Sequence, residues 1–149
     1  MGLAPWGALG GGAFKTEEQR KTQEGRQVPA TEAQVAVTKV LDSIARRNNT
    51  VLTGIALAYV LHKTPYVFPI VGGRKVDHLR DNIEALKIRL SSQDIREIEE
   101  AVPFGLGFPY SFLYNDSIPK HPGHVGMLDM AGTFDYVQLP QPIEPSDIE

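Results

Sequence analysis

The chain has 149 residues, enough for one ordinary domain, and its 42% hydrophobic and 22% charged residues are typical of globular proteins. The formal net charge of −3 does not indicate a nucleic-acid surface, and the absence of cysteine excludes disulfides and thiolate metal sites. No apolar run reaches the roughly 18 residues of a membrane span, and the N-terminus lacks the pattern of a signal peptide. We therefore expect a soluble, cytoplasmic protein without a membrane or nucleic-acid partner.

The first predicted element is a buried strand over residues 2–8, which are apolar and punctuated by glycine. It leads into the run Gly10-Gly11-Gly12, where the backbone can turn freely or approach a ligand closely. This run is not a P-loop, because Phe14 occupies the position before lysine that must be glycine. Taken alone, it is better explained as a flexible loop. Residues 13–29 predict a surface loop with a helical turn near 16–21.

Two helices are predicted next. Thr31 with Gln34 forms a capping-box pattern, and apolar residues at helical spacing continue to about Arg47. Residues 50–62 predict a second helix that is apolar on nearly all sides. We therefore expect this helix to be buried on several sides.

A second strand is predicted over residues 66–71, a continuous apolar run that suits a parallel strand covered on both faces. Pro69 weakens the case for a central strand. Gly72-Gly73 forms the turn into a helix that runs to about Ala85 with Val76, Leu79 and Ile83 on one face.

A last amphipathic helix is predicted after Ser91, which forms a cap signature with Asp94. From Pro103 the composition changes, because residues 103–149 hold seven of the eleven prolines and show no helical period. The acidic end of the chain, residues 138–149, is expected to fray. We therefore divide the chain into residues 1–102 and an irregular, aromatic and Pro-rich segment, 103–149.

The turn after the second strand is a candidate phosphate site. Backbone N–H groups at a helix N-terminus bind anions, and the glycines remove side chains from the approach. Arg74 offers a planar fork that suits phosphate, and Lys75 adds a point charge. Cations at this helix end oppose the helix dipole, which a bound phosphate would offset. A solvated basic turn explains the same local features.

The two glycine loops follow successive strands. The two loops together indicate a phosphate site more strongly than either loop does alone. In eight-stranded β/α barrels the usual phosphate site lies in the loops after strands 7 and 8. The spacing between the two loops leaves room for the intervening helices.

These residues resemble a known family. The run from Pro69 to Lys75, followed by His78-Leu79 and Asp81-Asn82, is similar to the NADP-binding segment of the aldo-keto reductases. The run from Ala4 to Gly12 resembles the preceding strand-7 loop of that family. The resemblance covers roughly residues 1–114 and points to the C-terminal portion of the fungal aryl-alcohol dehydrogenase and norsolorinic acid reductase branch.

The resemblance implies an α/β fold, namely a partial TIM (β/α)8 barrel that holds strands 7 and 8, their helices and an irregular C-terminal tail. A partial barrel exposes its strand edges and the apolar helix 50–62. We therefore expect poor stability for the chain alone, or a partner chain that covers these edges.

The resemblance implies NADP as the cofactor. Trp6 stands where an aromatic ring stacks on the nicotinamide, although a buried core tryptophan is the alternative. Gly7, Leu9 and Gly11 would line the pyrophosphate through their backbone.

The other implied cofactor-binding residues lie in the second loop and its helix. Arg74 and Lys75 would hold the 2′-phosphate of NADP, and His78 would assist, although a surface histidine is equally consistent. Asp81 and Asn82 would contact the adenine, with ordinary helix-surface polarity as the alternative.

By resemblance the function is that of an NADP-dependent oxidoreductase of aryl aldehydes, aryl alcohols or polyketide ketones in secondary metabolism. The segment from Phe104 to Tyr114 would shape the substrate pocket or act as a hydrophobic plug. The family's Asp, Tyr, Lys and His tetrad sits on earlier strands, and no tyrosine or histidine here occupies a matching position, so we expect no catalytic residue in this truncated chain. His121 and His124 are too few for a zinc site.

Two other functions stay open. The chain is either a catalytically inactive remnant that binds NADP or joins another subunit, or a phosphate-binding regulatory module of another barrel family. Preference for a sugar phosphate over NADP would support the regulatory module.

Overall fold

The computed structural model describes most of the chain in several ranges: residues 1–22, 25–114, 130–132, 135, 137–138 and 140–144. Among these, six α-helices form: α1 Glu17–Lys21, α2 Glu32–Arg47, α3 Leu52–Leu61, α4 Val76–Glu84, α5 Ser92–Ala101 and α6 Tyr110–Tyr114. Two single 3-10 turns lie at Gly10–Gly12 and Ala85–Lys87. The chain forms two compact units, one of residues 1–102 with 141–149 and one of residues 103–140.

The predicted capping boxes start the helices of the first unit. The Thr31 hydroxyl accepts a hydrogen bond from the Gln34 N–H at 3.2 Å, and the Gln34 side chain accepts one from the Thr31 N–H at 2.9 Å. Ser91 and Asp94 make the same reciprocal bonds at the start of α5. Both predicted helix starts are therefore confirmed, because these bonds satisfy N–H groups that have no partner inside the helix.

The core of the first unit lies where α2 packs against α3 and α5. Leu41, Ile44 and Ile55 are its largest fully buried side chains. The expectation that the apolar helix 50–62 is exposed is wrong, since most of α3 is buried: Leu52, Gly54, Ile55, Ala56, Leu57 and Ala58. Burial of a helix that is apolar on nearly all sides removes a large apolar area from water, which stabilises the fold. Helix α2 of the same chain packs on α3 and buries it.

The two predicted strands pair in parallel, but only over a short distance. Leu3 pairs with Val67 and Trp6 with Ile70. The Leu3 N–H donates to the Tyr66 carbonyl at 2.9 Å. Within the residues that the structure describes, these contacts remain isolated bridges, without a longer strand. Pro5 has no N–H to donate across the pair, and Pro69 interrupts the second segment.

The second segment is covered on one face only, which corrects the expectation of a strand covered on both faces. Tyr66, Phe68 and Ile70 are 60%, 64% and 57% exposed, whereas the intervening Val67 and Pro69 are half-buried. Successive side chains of an extended segment point to opposite faces, so one face packs on the unit and the other faces outward.

Arg47 joins the end of α2 to the beginning of α5. Its Nη2 atom donates to Asp94 Oδ1 and Glu97 Oε2, each at 2.8 Å. Burial alone would raise the pKa of the Asp94 carboxyl, but hydrogen bonds from Ser91 and Arg47 outweigh it and hold that pKa below its usual value. The carboxylate form of Asp94 is therefore favoured by folding.

We expect Asp94→Asn to lower the free energy of unfolding at neutral pH by about 1–2 kcal/mol, because it weakens both the cap and the Arg47 link. A depressed folded-state pKa contributes stability that is present above the unfolded-state pKa and lost as pH falls through the folded-state value. Urea unfolding from neutral to acidic pH measures both effects. Asp77→Asn is the control, since Asp77 is exposed and has only a 3.5 Å ion pair with Arg80. An unchanged pH dependence in Asp94→Asn would contradict this role.

In the second unit, α6 forms where no helix is predicted, and it is held by bonds such as the Ser111 N–H to the Gly107 carbonyl at 2.8 Å. Phe104, Phe108 and Phe112 are 81%, 85% and 71% exposed. His121 and His124 lie outside the described residues. The described part of the chain contains no helix both long and apolar enough to cross a bilayer.

Candidate functional site

The short parallel pairing sets the two glycine loops side by side. Trp6 pairs with Ile70, and the Ile70 N–H donates to the Pro5 carbonyl at 2.9 Å. Both segments run in the same direction, so the loop that begins at Gly7 and the loop that begins at Gly72 leave from the same end. In α/β folds, ligands bind beyond the carboxyl ends of parallel strands.

The first loop has a defined geometry. Gly7, Gly10 and Gly11 have φ values of 81°, 71° and 60°, which L side chains rarely adopt. The Gly10 N–H donates to the Gly7 carbonyl at 2.9 Å, and a β-carbon on Gly10 would lie only 2.6 Å from the Phe14 ring. The loop that was predicted to be flexible is therefore a tight turn whose Gly10 backbone lies against the Phe14 ring. Leu9, in the same turn, is half-buried.

We expect Gly10→Ala to cost about 1–3 kcal/mol of unfolding free energy, because it adds both left-handed strain and a clash with Phe14. Thermal unfolding measures the loss. Gly72→Ala is the control, since a β-carbon there meets no atom within 4 Å and φ is not positive. Equal stability of the two variants would show that the turn is not constrained.

Trp6 is 84% exposed, so it is not the buried core residue that the sequence left open. It precedes the tight turn directly and presents its ring to solvent at the end shared by both loops. An exposed indole offers a flat apolar surface on which a planar ring can stack.

The second loop carries the predicted cations to the start of α4. Lys75 is the residue before the helix, and no side chain caps the first turn. Arg74 and Lys75 are both exposed, and neither forms an ion pair within the part of the chain that the structure describes. The uncapped N–H groups and two cations therefore face the same region, which suits an anion.

The remaining predicted residues continue from this loop along α4. His78 folds back over the turn, since a β-carbon on Gly73 would lie 3.1 Å from His78 Nδ1. Asp81 and Asn82 follow three and four residues later and share a helix face with His78. Asp81 is exposed and Asn82 is half-buried.

Two cations near the loops, Lys15 and Arg26, were not predicted from the sequence. The Lys15 Nζ donates to the Arg26 carbonyl at 2.8 Å, and Arg26 Nη1 donates to the Gly11 carbonyl at 3.4 Å. A β-carbon on Gly25 would lie 3.6 Å from Lys15 Nζ and 3.8 Å from Arg74 Nη2. These contacts join residues far apart in sequence, and no local motif marks them. They bring a third and a fourth positive charge to the loops.

A bound anion would interact favourably with the cations near these loops. The described residues around the loops thus combine exposed cations, open backbone N–H groups and a stacking ring. This combination fits a cofactor with a phosphate group and a planar ring.

Comparison with known proteins identifies the family of the chain. The model of the aldo/keto reductase family matches residues 1–103. Norsolorinic acid reductase B of Dothistroma septosporum is 46% identical over 158 residues, and an aryl-alcohol dehydrogenase of Pestalotiopsis microspora is 43% identical over 147 residues. The chain belongs to the aldo/keto reductase family, which confirms the resemblance and its branch.

The matches cover the chain and its relatives unequally. They span 98% and 97% of this chain but only 40% and 38% of those two relatives. A protein of Saccharomyces cerevisiae, provisionally named an aryl-alcohol dehydrogenase, is 42% identical over 126 residues, which cover 78% of this chain and 83% of that protein. The family implies a β/α barrel.

Proposed function

We propose that the chain is the NADP-binding part of an oxidoreductase of aldo-keto reductase type. The observation that carries this proposal is the parallel pairing of Trp6 with Ile70, which places the exposed indole and the Arg74-Lys75 turn at one end of the two segments. Family membership supports the nicotinamide cofactor, and the cluster of cations supports the phosphorylated form of it.

Each part of the cofactor has a proposed partner. Arg74 and Lys75 hold the 2′-phosphate by charge-assisted hydrogen bonds, and His78 assists them. The backbones of Gly7, Leu9 and Gly11 line the pyrophosphate, where the absence of two side chains permits close approach.

The rings of the cofactor are bound at the two ends of the site. Trp6 stacks on the nicotinamide, while Asp81 and Asn82 contact the adenine from α4. The cofactor supplies or accepts hydride when bound, and the residues of this chain bind and orient it.

The proposed substrates are aromatic aldehydes, aromatic alcohols or ketones, in line with the names of the relatives. The segment from Phe104 to Tyr114 is proposed to shape the substrate pocket, and the exposed rings of Phe104, Phe108 and Phe112 suit flat substrates. Proton transfer to the carbonyl is proposed to come from the family's tetrad of Asp, Tyr, Lys and His.

The second candidate is a catalytically inactive form that binds NADP without turning over substrate. An assay of NADPH oxidation with a panel of aromatic aldehydes separates the two. Turnover that is abolished by Arg74→Ala with Lys75→Ala would refute the inactive form.

Binding is tested through Trp6, the only tryptophan in the chain. We expect NADPH to quench its fluorescence, because the nicotinamide stacks on the exposed indole. An adenosine 2′-phosphate fragment without nicotinamide should bind yet leave the emission unchanged. Equal quenching by that fragment would contradict the stacking role of Trp6.

A further inference from the structure

An apolar groove lies on the first unit, at the start of the second paired segment. Its volume is about 240 Å³, below the roughly 300–1,000 Å³ of most small-molecule pockets. One wall consists mainly of apolar side chains: Leu61, Tyr66, Phe68, Leu86 and Ile88. Among these, Tyr66, Phe68 and Leu86 are more than half exposed. A groove of this size and lining suits a narrow segment of peptide chain better than a bulky ligand.

The opposite wall of the groove comes from the C-terminal part of the same chain. Ile143 and Glu144 line the groove. Residues 141–149 belong to the first unit, although the preceding residues 103–140 form the second. The side chain of Ile143 is 63% exposed, so it borders the groove without being buried in it. The two walls therefore face each other across a space that is still open.

The sequence of this C-terminal wall favours an extended backbone. Pro142 and Pro145 directly follow Gln141 and Glu144, and the residue before a proline is restricted to extended conformations. Each proline also has a fixed φ. Residues 141–144 accordingly lie in no helix or strand. A segment that is already extended loses little conformational entropy when it docks.

We propose that residues 141–144 are a strap that closes over this groove as a proline-rich peptide would. Proline-rich segments dock in grooves lined by aromatic rings, because their extended form exists before binding. Tyr66 and Phe68 supply two such rings in the groove. Ile143 is the apolar side chain of the strap that enters the open space when the strap closes.

The strap stays tethered to the unit that it covers. A tethered segment has a high effective concentration at its own site, so it competes with any free peptide for that site. The strap thereby shields the apolar groove from other molecules until it opens. This proposal concerns the groove alone and does not depend on the cofactor proposal.

The contact itself is tested by NMR on the unchanged 149-residue chain. We expect nuclear Overhauser effects between the Ile143 methyl groups and the rings of Tyr66 and Phe68. The absence of any such effect to either ring would overturn the proposal.

Replacing Ile143 by aspartate tests the closing of the strap. We expect Ile143→Asp to raise the fluorescence of anilinonaphthalene sulfonate, a dye that binds exposed apolar surface, about twofold. Val137→Asp is the matched control, because it makes the same kind of replacement at a position that is 84% exposed and outside the groove. It should leave the fluorescence unchanged. Circular dichroism of both variants establishes that α2, α3 and α5 remain folded.

A synthetic peptide of residues 139–145 tests the groove from outside. It should bind the Ile143→Asp chain about tenfold more tightly than the unchanged chain, whose own strap competes with it. It should also remove the added dye fluorescence, whereas the same peptide with Ile143→Asp should not bind. Equal dye fluorescence in the Ile143→Asp and Val137→Asp chains, equal peptide affinity for the two chains, or no binding of the peptide would overturn the proposal.

Discussion

Replacing Arg74 and Lys75 together by alanine is expected to weaken NADPH binding about 10- to 100-fold and to leave NADH binding unchanged. Hydrogen bonds to charged groups contribute about 1.5–3 kcal/mol, and only the 2′-phosphate distinguishes the two cofactors. Isothermal titration calorimetry with each cofactor gives the ratio of dissociation constants.

The matched control is Arg80→Ala with Lys87→Ala, which removes the same charge from exposed positions on and just after α4. This control should keep the preference for NADPH. An equal loss of NADPH and NADH affinity in the Arg74 and Lys75 variant would mean that these cations do not contact the 2′-phosphate.

Ile55→Ala is expected to lower the unfolding free energy by about 2–5 kcal/mol, because Ile55 is fully buried among α2, α3 and α5 and its truncation leaves a cavity. A loss of this size is a large fraction of the stability of a small domain. Val51→Ala is the control, since Val51 is 43% exposed just before α3 and should cost under about 1 kcal/mol.

Urea denaturation followed by circular dichroism measures both changes. A cooperative transition that Ile55→Ala shifts far more than Val51→Ala would establish that the helical core is formed by this chain. Equal shifts would mean that α3 is not packed as the structure has it.

Local sequence signals predicted α2, α3, α4 and α5 well because their causes are local. The capping boxes at Thr31 and Ser91 place donors and acceptors three residues apart, and the structure forms both. The apolar stripe of α4 is visible in the sequence for the same reason. Whether a stripe is covered depends on other elements, so its exposure could not be read from spacing.

Tertiary contacts account for the predictions that failed and for the residues that were missed. The burial of α3 depends on how α2 and α5 pack, which the spacing of apolar residues does not specify. Lys15 and Arg26 reach the glycine loop through long-range bonds. A parallel unit of the two strands was expected only in outline, and Pro5 removes one backbone donor from it.

The central claim is that two loops at the end of one parallel pair form a single NADP site. Titrating NADP into the isotopically labelled chain and following backbone amide NMR shifts tests it most directly. We expect shifts concentrated at residues 6–12 and 73–82, with little change at the buried contact between α2 and α5. Shifts at only one of the two loops, or shifts spread over α2 and α5 instead, would contradict it.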